Sequence, residues 1–223
     1  MNMNPITEDD IANYLANTPD FFERHAQLLA QVQLTSPHGN RAVSLQERQA
    51  EMLREKIKAL EHRIMDMVRH GTENVMTADR LQRWTRSLLT ARDLKALPWD
   101  IIQGLQSQFM VPQTGIKLWD LDAAYADEGY AQNVSDDVKA LATSLTTPYC
   151  GLNAGFDAAS WLNDPQQAVS VALLPLRMEA DQPAFGLLVL ASPDAQRYHA
   201  EMGTDFLERI AQIASAALSR LKA

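Results

Sequence analysis

The chain has 223 residues, of which 46% are hydrophobic and 22% are charged, and its formal net charge is −8. This acidic balance argues against a protein devoted to nucleic acid or to anionic membranes, and a single cysteine excludes an intrachain disulfide. The first ten residues lack the features of a signal peptide, and no apolar run approaches the roughly 20 residues of a membrane-spanning helix. We therefore expect a cytoplasmic protein with neither a membrane segment nor a nucleic-acid partner.

Residues 1–41 form the first predicted segment, which contains two short helices. Thr7 and Asp10 have the spacing of a capping box, and Thr18, which a proline follows, predicts the start of a second helix. The apolar side of that second helix includes Phe21 and Phe22. Short helices are marginal in water on their own. We therefore expect this segment to dock on its own chain, on a second copy or on a protein partner.

The second predicted segment, residues 42–71, is one long helix with a heptad repeat. Its apolar residues are spaced 3, 4, 3, 4 and 3 positions apart, at Ala50, Leu53, Ile57, Leu60, Ile64 and Met67. Isoleucine at a positions and leucine at d positions favour a parallel two-stranded coiled coil, in which Lys56 and Glu61 would attract each other between chains. The pattern predicts a homodimer through this seam. The alternative is that the helix packs on its own domain.

Residues 72–223 form the third predicted segment, in which helices precede a sheet. The stretches 73–91 and 97–109 have helical patterns and predict two helices. GIKLWDL alternates as a strand does, and SDDVKALATSL predicts a short helix with Ser135 as its cap. The apolar runs AVSVALLPLR and AFGLLVLAS predict a hairpin that is buried on both faces. We therefore expect an α+β fold, with a layered antiparallel sheet between helices.

The stretch RYHAEMGTDFL, residues 197–207, precedes the closing helix and contains polar groups that could suggest catalysis. We interpret it instead as a structural segment that starts the closing helix and lets it lie against the sheet. Gly203 would allow the helix to approach the sheet closely, Thr204 would be the N-cap, and Asp205 would place a negative charge in the first turn. No reaction is needed to explain these residues.

Five ordered stretches carry a resemblance to a known family. YLANTPDFFERHAQLL, PHGNRAVSLQERQAEMLRE, PYCG, SVALLPL and RYHAEMGTDFL together resemble DUF484, a bacterial family of unknown function whose C-terminal half is GAF-like. The resemblance covers nearly the whole chain and implies a GAF-like sheet, but no established activity. GAF domains bind small molecules or dimerise. A ligand cavity on one face of the sheet, near residues 134–165, would lie beside Trp119, Tyr149, Cys150 and Trp161.

Other chemistry-bearing residues have simpler interpretations. Cys150 could be a redox sensor, but no second cysteine is present to resolve a sulfenic acid, so we expect a buried structural thiol. Asp120 and Asp122 could act as an acid/base pair, but their position predicts a turn. We expect a solvated helix face rather than a nucleic-acid site at the basic patch of Arg80, Arg83, Trp84, Arg86 and Arg92. The five histidines lack metal-ligand spacing, so we expect no metal. With these interpretations of the other residues, we also expect no cofactor and no catalytic residue.

Three hypotheses for function remain open. The leading one is a dimeric, non-enzymatic GAF-like regulatory or scaffolding protein, in which a small molecule in the sheet-face cavity biases helix geometry at the seam. The second is a pure protein-interaction module whose cavity is filled by its own side chains. The third is a redox sensor or enzyme based on Cys150, or an enzyme based on the Asp120/Asp122 pair.

Overall fold

The computed structural model describes residues 6–31 and 45–222. By its internal contacts the chain divides into two compact units, Met1–Thr72 and Glu73–Ala223. The predicted boundary between residues 41 and 42 lies outside the described residues. Within the described ranges, no helix is both long and apolar enough to cross a lipid bilayer.

The first unit begins with three short helices, α1 (Glu8–Asn17), α2 (Phe21–Arg24) and α3 (Ala26–Gln31). The predicted capping box is confirmed, because the Thr7 hydroxyl accepts from the Asp10 backbone N–H and the Thr7 N–H donates to the Asp10 carboxylate. The second helix starts later than predicted. Thr18 ends α1, and its carbonyl accepts the Phe21 N–H at 3.0 Å in the turn that precedes α2.

The long helix α4 (Leu45–Thr90) has 46 residues and replaces the two helices predicted on either side of residue 72. The prediction of a break was wrong. One interior glycine costs a helix only about 1 kcal/mol, which is too little by itself to end a long helix. Within the continuous helix, the Thr72 hydroxyl donates to the Val68 carbonyl at 2.9 Å.

The second unit contains a four-stranded antiparallel sheet. Its strands are β1 (Gln113–Leu118), β2 (Tyr149–Leu152), β3 (Ser170–Leu176) and β4 (Gly186–Ser192), in the order β1-β4-β3-β2. The hairpin of β3 and β4 is central, as the apolar runs predict, and pairs Ser170 with Ser192 and Leu176 with Gly186. The helices of this unit, besides the end of α4, are α5 (Leu97–Phe109), α6 (Asp136–Ser144) and α7 (Asp205–Leu218). The predicted α+β fold class is confirmed.

The two faces of the sheet carry separate hydrophobic clusters. On the α7 face, Leu174 and Leu188 pack with the end of α4, α5 and α7, and the buried side chains from these helices include Trp84, Ile101, Leu105, Ile210 and Leu218. On the α6 face, Leu173 and Val189 pack with α6 and with the 3₁₀ turn Asp157–Trp161. Because successive strand residues point to opposite faces, one apolar run supplies both clusters.

Of the two predicted N-caps, the one at α6 forms its side-chain hydrogen bond and the one at α7 does not. At α6, the Ser135 hydroxyl accepts the Val138 N–H at 3.3 Å, so the predicted cap is confirmed. At α7, Thr204 is the N-cap residue but makes no side-chain cap bond: its backbone lies in the αR region rather than the extended conformation of a capping residue, and its hydroxyl donates to the Glu208 carboxylate at 2.8 Å. A Cβ on Gly203 would meet no atom within 4 Å, so this glycine is not a point of close approach.

The glycine that does permit close packing is Gly104 on α5. A Cβ built there would lie 2.4 Å from Cδ1 and Nε1 of Trp84. Trp84 is completely buried. The absence of a side chain at residue 104 therefore lets the indole lie directly against the α5 backbone.

Candidate functional site

The four side chains predicted to line a cavity do not lie on one face of the sheet. Trp119 is buried in the α6-face cluster, and Tyr149 and Trp161 pack half-buried against the same cluster. Cys150 is buried in the α7-face cluster instead. Adjacent strand residues alternate between faces, so Tyr149 and Cys150 could not have contributed to the same cavity. The grouping that included Cys150 is corrected, and ligand binding by the other three stays a prediction.

Trp119 is held by hydrogen bonds within the fold. Its indole N–H donates to the Ala184 carbonyl at 2.7 Å, and its backbone N–H donates to the Phe185 carbonyl at 2.8 Å. A buried indole needs a partner for its single donor. Trp119 therefore ties the end of β1 to the start of β4, and its polar atom is already in use.

Tyr149 and Trp161 are packed by the loops that cover the α6 face. The Tyr149 ring meets the Phe156 ring edge-on, with 5.1 Å between centroids. Trp161 lies over β1, where a Cβ on Gly115 would stand only 3.2 Å from the Trp161 Cβ. Both aromatic residues thus have packing roles that need no ligand.

Small side chains fill the rest of the α6 face. The buried members of this cluster include six alanines, at Ala142, Ala158, Ala159, Ala168, Ala184 and Ala191. The Gln113 side chain fastens the covering loop to β1, since its amide donates to the Asp164 carbonyl at 2.9 Å and accepts the Asp164 N–H at 2.8 Å. Close backbone approach is what small residues permit. This face is therefore closely covered by the chain itself.

Arg177 holds α6 at one end of this face. Its guanidinium donates to the carbonyls of Ala142, Thr143 and Leu145 at 2.8, 2.7 and 2.6 Å. These carbonyls lie at the C-terminal end of α6, which is the negative end of the helix dipole. The last carbonyls of a helix have no backbone N–H partner within the helix. Arg177 was not predicted from the sequence; its position directly after β3 was the available signal.

Cys150 lacks the environment of a reactive thiol. It is buried among apolar residues, and desolvation raises the pKa of its thiol to about 11. A reactive cysteine needs a lowered pKa and access to solvent. The Cys150 sulfur is instead buried, and its pKa is raised.

The two aspartates form no acid/base pair in the described structure. Asp120 is exposed and has a left-handed backbone with φ of 56°, whereas Asp122 caps a short turn by accepting the Ala124 N–H at 2.9 Å. The Asp122 side chain serves a turn, as the sequence indicates. Within residues 6–31 and 45–222, no group of three or more histidine, cysteine or acidic side chains could hold a metal ion.

The predicted dimer seam lies on α4. In the single chain, Ala50 is half-buried, and the exposed fractions of the other five side chains are 60% for Leu53, 53% for Ile57, 52% for Leu60, 56% for Ile64 and 69% for Met67. Isolated exposed apolar residues are ordinary, but a regular stripe of them marks a surface for interaction. Whether a second copy covers this stripe stays a prediction.

The comparisons with known proteins concern family and fold. The solved structures similar to this chain include GAF domains of phosphoenolpyruvate-protein phosphotransferases from Coxiella burnetii (11% identity, 66% of this chain and 94% of that chain, TM-score 0.49) and from Acinetobacter (14%, 65% and 93%, 0.48). The GAF domain of the potassium sensor histidine kinase KdpD from Escherichia coli is similar at 19% identity, covering 65% of this chain and 94% of that one, with a TM-score of 0.42.

The family assignment comes from the sequence over its full length. No curated protein matches the chain. The family model described as protein of unknown function, DUF484, matches residues 1–223. The quoted stretches that suggested this resemblance lie in both units and in the segment between the described ranges. The chain belongs to the DUF484 family.

Proposed function

We propose that this protein is a non-enzymatic regulatory or scaffolding module that works as a homodimer, with α4 forming a parallel coiled coil. The observation that carries the proposal is the exposed stripe at heptad spacing from Leu53 to Met67 on α4. A second copy covers this stripe with an identical one, which satisfies the self-complementarity that a two-fold interface requires. The hydrophobic effect supplies the attraction.

The charges beside the stripe support the parallel arrangement. In a parallel pair, each g position faces the e position five residues later on the other helix. Lys56 then faces Glu61 of the second copy, and Arg63 faces Val68. The g–e′ pairs built from residues 49–68 include no like-charged pair. A parallel seam therefore has one attractive contact from each chain and no repulsive one.

The absence of catalysis in this proposal is supported by particular side chains. The Cys150 thiol has a raised pKa and is buried, and Asp122 is occupied as a cap. A nucleophile or a general base needs the opposite features, namely access to substrate and a pKa close to the working pH.

A second candidate is a protein-interaction module without a small-molecule ligand. The observation that favours it is the covering of the α6 face by the chain's own alanines and by Trp119, whose N–H already has a partner. In this version the exposed apolar residues of α1 and α2, among them Ile11, Tyr14 and Phe22, form the docking surface.

One experiment tests both candidates. Native mass spectrometry of the full chain is expected to give twice the single-chain mass of 24.9 kDa. Ile57→Lys combined with Ile64→Lys is expected to give a folded monomer, because each lysine would place a charge inside the seam. The matched control is Met52→Lys with Met65→Lys, which adds the same charge at off-seam positions that are each 59% exposed and leaves the dimer intact.

The outcomes separate the hypotheses. A seam variant with unchanged dimer mass, or a control that dissociates equally, would refute the coiled coil. Extra mass that disappears on denaturation would identify a small-molecule ligand and reject the second candidate. A dimer without extra mass would favour the interaction module.

A further inference from the structure

A cavity of about 300 Å³ lies in the second unit, where α4 runs beside the C-terminal end of α5. Its lining is polar and basic and consists of Arg80, Arg83, Ser107, Gln108 and Met110. It is formed by helices of the α7 face, so it is separate from the α6 face on which the ligand cavity was predicted.

The two arginines are free to bind an anion. Arg80 and Arg83 are three residues apart on α4 and therefore project from the same side of the helix. Among the described residues, neither guanidinium has a hydrogen bond or an ion pair. Two unpaired guanidinium groups at one cavity create a local positive charge on a chain whose net charge is −8.

Gln108 adds a polar atom without a partner. Its side-chain oxygen is buried, and no described group donates to it. Leaving a buried acceptor unpaired is energetically costly. A ligand with a hydroxyl or amino group beside its anionic group would supply the missing donor, while the anionic group pairs with the arginines.

Arg197 removes an obstacle to anion binding at this place. The C-terminal end of a helix is negative and repels anions. The Arg197 guanidinium donates to the carbonyls of Phe109 and Met110, at 3.1 and 2.8 Å, and so neutralises the end of α5. The Ser107 hydroxyl donates to the Gln103 carbonyl at 2.7 Å, within α5 itself.

We propose that this cavity is a binding site for a small oxyanion, of the class of hydroxylated phosphate monoesters or hydroxycarboxylates. Arg80 and Arg83 hold the phosphate or carboxylate oxygens, and Gln108 accepts a hydrogen bond from the ligand hydroxyl. Met110 forms the apolar rim. The site lies entirely in the second unit, so it does not depend on the dimer proposed above.

Isothermal titration of the full chain at constant ionic strength tests the site. The probes are glycerol 3-phosphate, malate and inorganic phosphate, and sodium chloride is the reference. We expect saturable binding of glycerol 3-phosphate or malate, and the stronger of the two identifies the anion class. Inorganic phosphate is expected to bind more weakly because it lacks the carbon-bound hydroxyl.

Variants show whether the binding belongs to the cavity. Arg83→Gln and Arg80→Gln are each expected to weaken binding about tenfold or more, and Arg83→Lys is expected to weaken it less because it keeps the charge but loses the bidentate geometry. Gln108→Leu is expected to reduce the preference for the hydroxylated probe over inorganic phosphate. The control is Arg86→Gln, a change of the same charge at an exposed residue of α4 outside the lining.

Two results would overturn the proposal. One is that none of the three probes binds to a wild-type chain that is folded by circular dichroism. The other is that Arg86→Gln weakens binding as much as Arg83→Gln, which would indicate a diffuse counterion effect. Since Arg83 is exposed, its replacement leaves the core intact and the comparison stays valid.

Discussion

At the scale of single residues, Cys150 shows how neighbouring strand positions acquire different properties. Its side chain enters the α7-face cluster, whereas the adjacent Tyr149 packs against the α6-face cluster. Burial raises the pKa of the thiol to about 11 and also raises the pKa of Tyr198, which lies in the same cluster. A low-polarity surrounding disfavours the charged form of both groups.

We predict that Cys150 reacts very slowly with thiol reagents in the folded protein. At about pH 8, a thiol with a pKa of about 11 has about 100-fold less thiolate than one with the ordinary value of 9.0. Exclusion of the reagent by burial slows the reaction further. The measurement is the rate of labelling by Ellman's reagent in buffer and in concentrated urea, corrected for the effect of urea on a small thiol. Native labelling within tenfold of the unfolded rate would contradict this.

The raised pKa of Cys150 also makes the free energy of unfolding depend on pH. Because the folded-state pKa is raised, the unfolded chain ionises first. The contribution of the neutral thiol to the free energy of unfolding is fully present below about pH 9 and is lost as the pH rises towards 11. Tyr130, whose pKa is raised to about 12 mainly by burial, acts in the same direction over a higher range.

At the scale of elements, the end of α6 depends on one side chain that comes from a strand end. Arg177 donates to three carbonyls of the last turn of α6 and to the Ala180 carbonyl. Its own backbone N–H donates to the Ser215 hydroxyl of α7 at 3.0 Å. One residue thus links both helical layers to β3.

We predict that Arg177→Met lowers the free energy of unfolding by about 2–3 kcal/mol, because charged hydrogen bonds to carbonyls are lost while the carbonyls remain partly buried. Urea unfolding measures the change, and hydrogen exchange should show the loss of protection concentrated in α6. Arg209→Met, at an exposed position of α7, is the matched control and should change stability by less than about 0.5 kcal/mol. Equal effects of the two substitutions would reject the capping role.

At the scale of the whole molecule, the cores belong to the second unit. Every residue of the two hydrophobic clusters, including the partly buried ones, lies between Leu81 and Leu221. The exposed stripe of α4 lies entirely in the first unit. The folding of the sheet and the proposed association of two chains therefore depend on different residues.

We predict that a fragment of residues 73–223 folds and is monomeric at concentrations where the full chain is a dimer. It keeps both clusters and lacks the seam, so its thermal unfolding should remain cooperative. Sedimentation and calorimetry provide the readouts. A fragment without a cooperative transition would show that the first unit is needed for the core, and a dimeric fragment would place the interface elsewhere.

Several parts of the fold were predictable from local sequence patterns. The Thr7 box and the Ser135 cap involve residues three positions apart, so the chemistry of each is complete within a short stretch. The central hairpin was predictable because β3 and β4 are buried on both faces and read as continuous apolar runs. The continuity of α4 through Gly71 was missed, since one interior glycine costs a helix only about 1 kcal/mol and does not by itself end it.

The candidate sites were harder to predict. Trp119, Tyr149 and Trp161 belong to one hydrophobic cluster, and the alternation of β2 contained the information that would have excluded Cys150 from it. No local pattern joins Arg80 and Arg83 to Ser107 and Gln108, because these pairs are separated by more than 20 residues and meet only when α5 packs beside α4.

The sequence alone determined the family, the α+β class, the central hairpin and the heptad stripe, because each depends on motifs or on periodic burial within one segment. Only the tertiary structure decided which side of the sheet each side chain entered, how fully the α6 face was covered, and where unpaired arginines met a cavity. These properties arise from contacts between distant segments. The energies of these contacts depend on packing geometry, which cannot be derived from a pattern along the sequence.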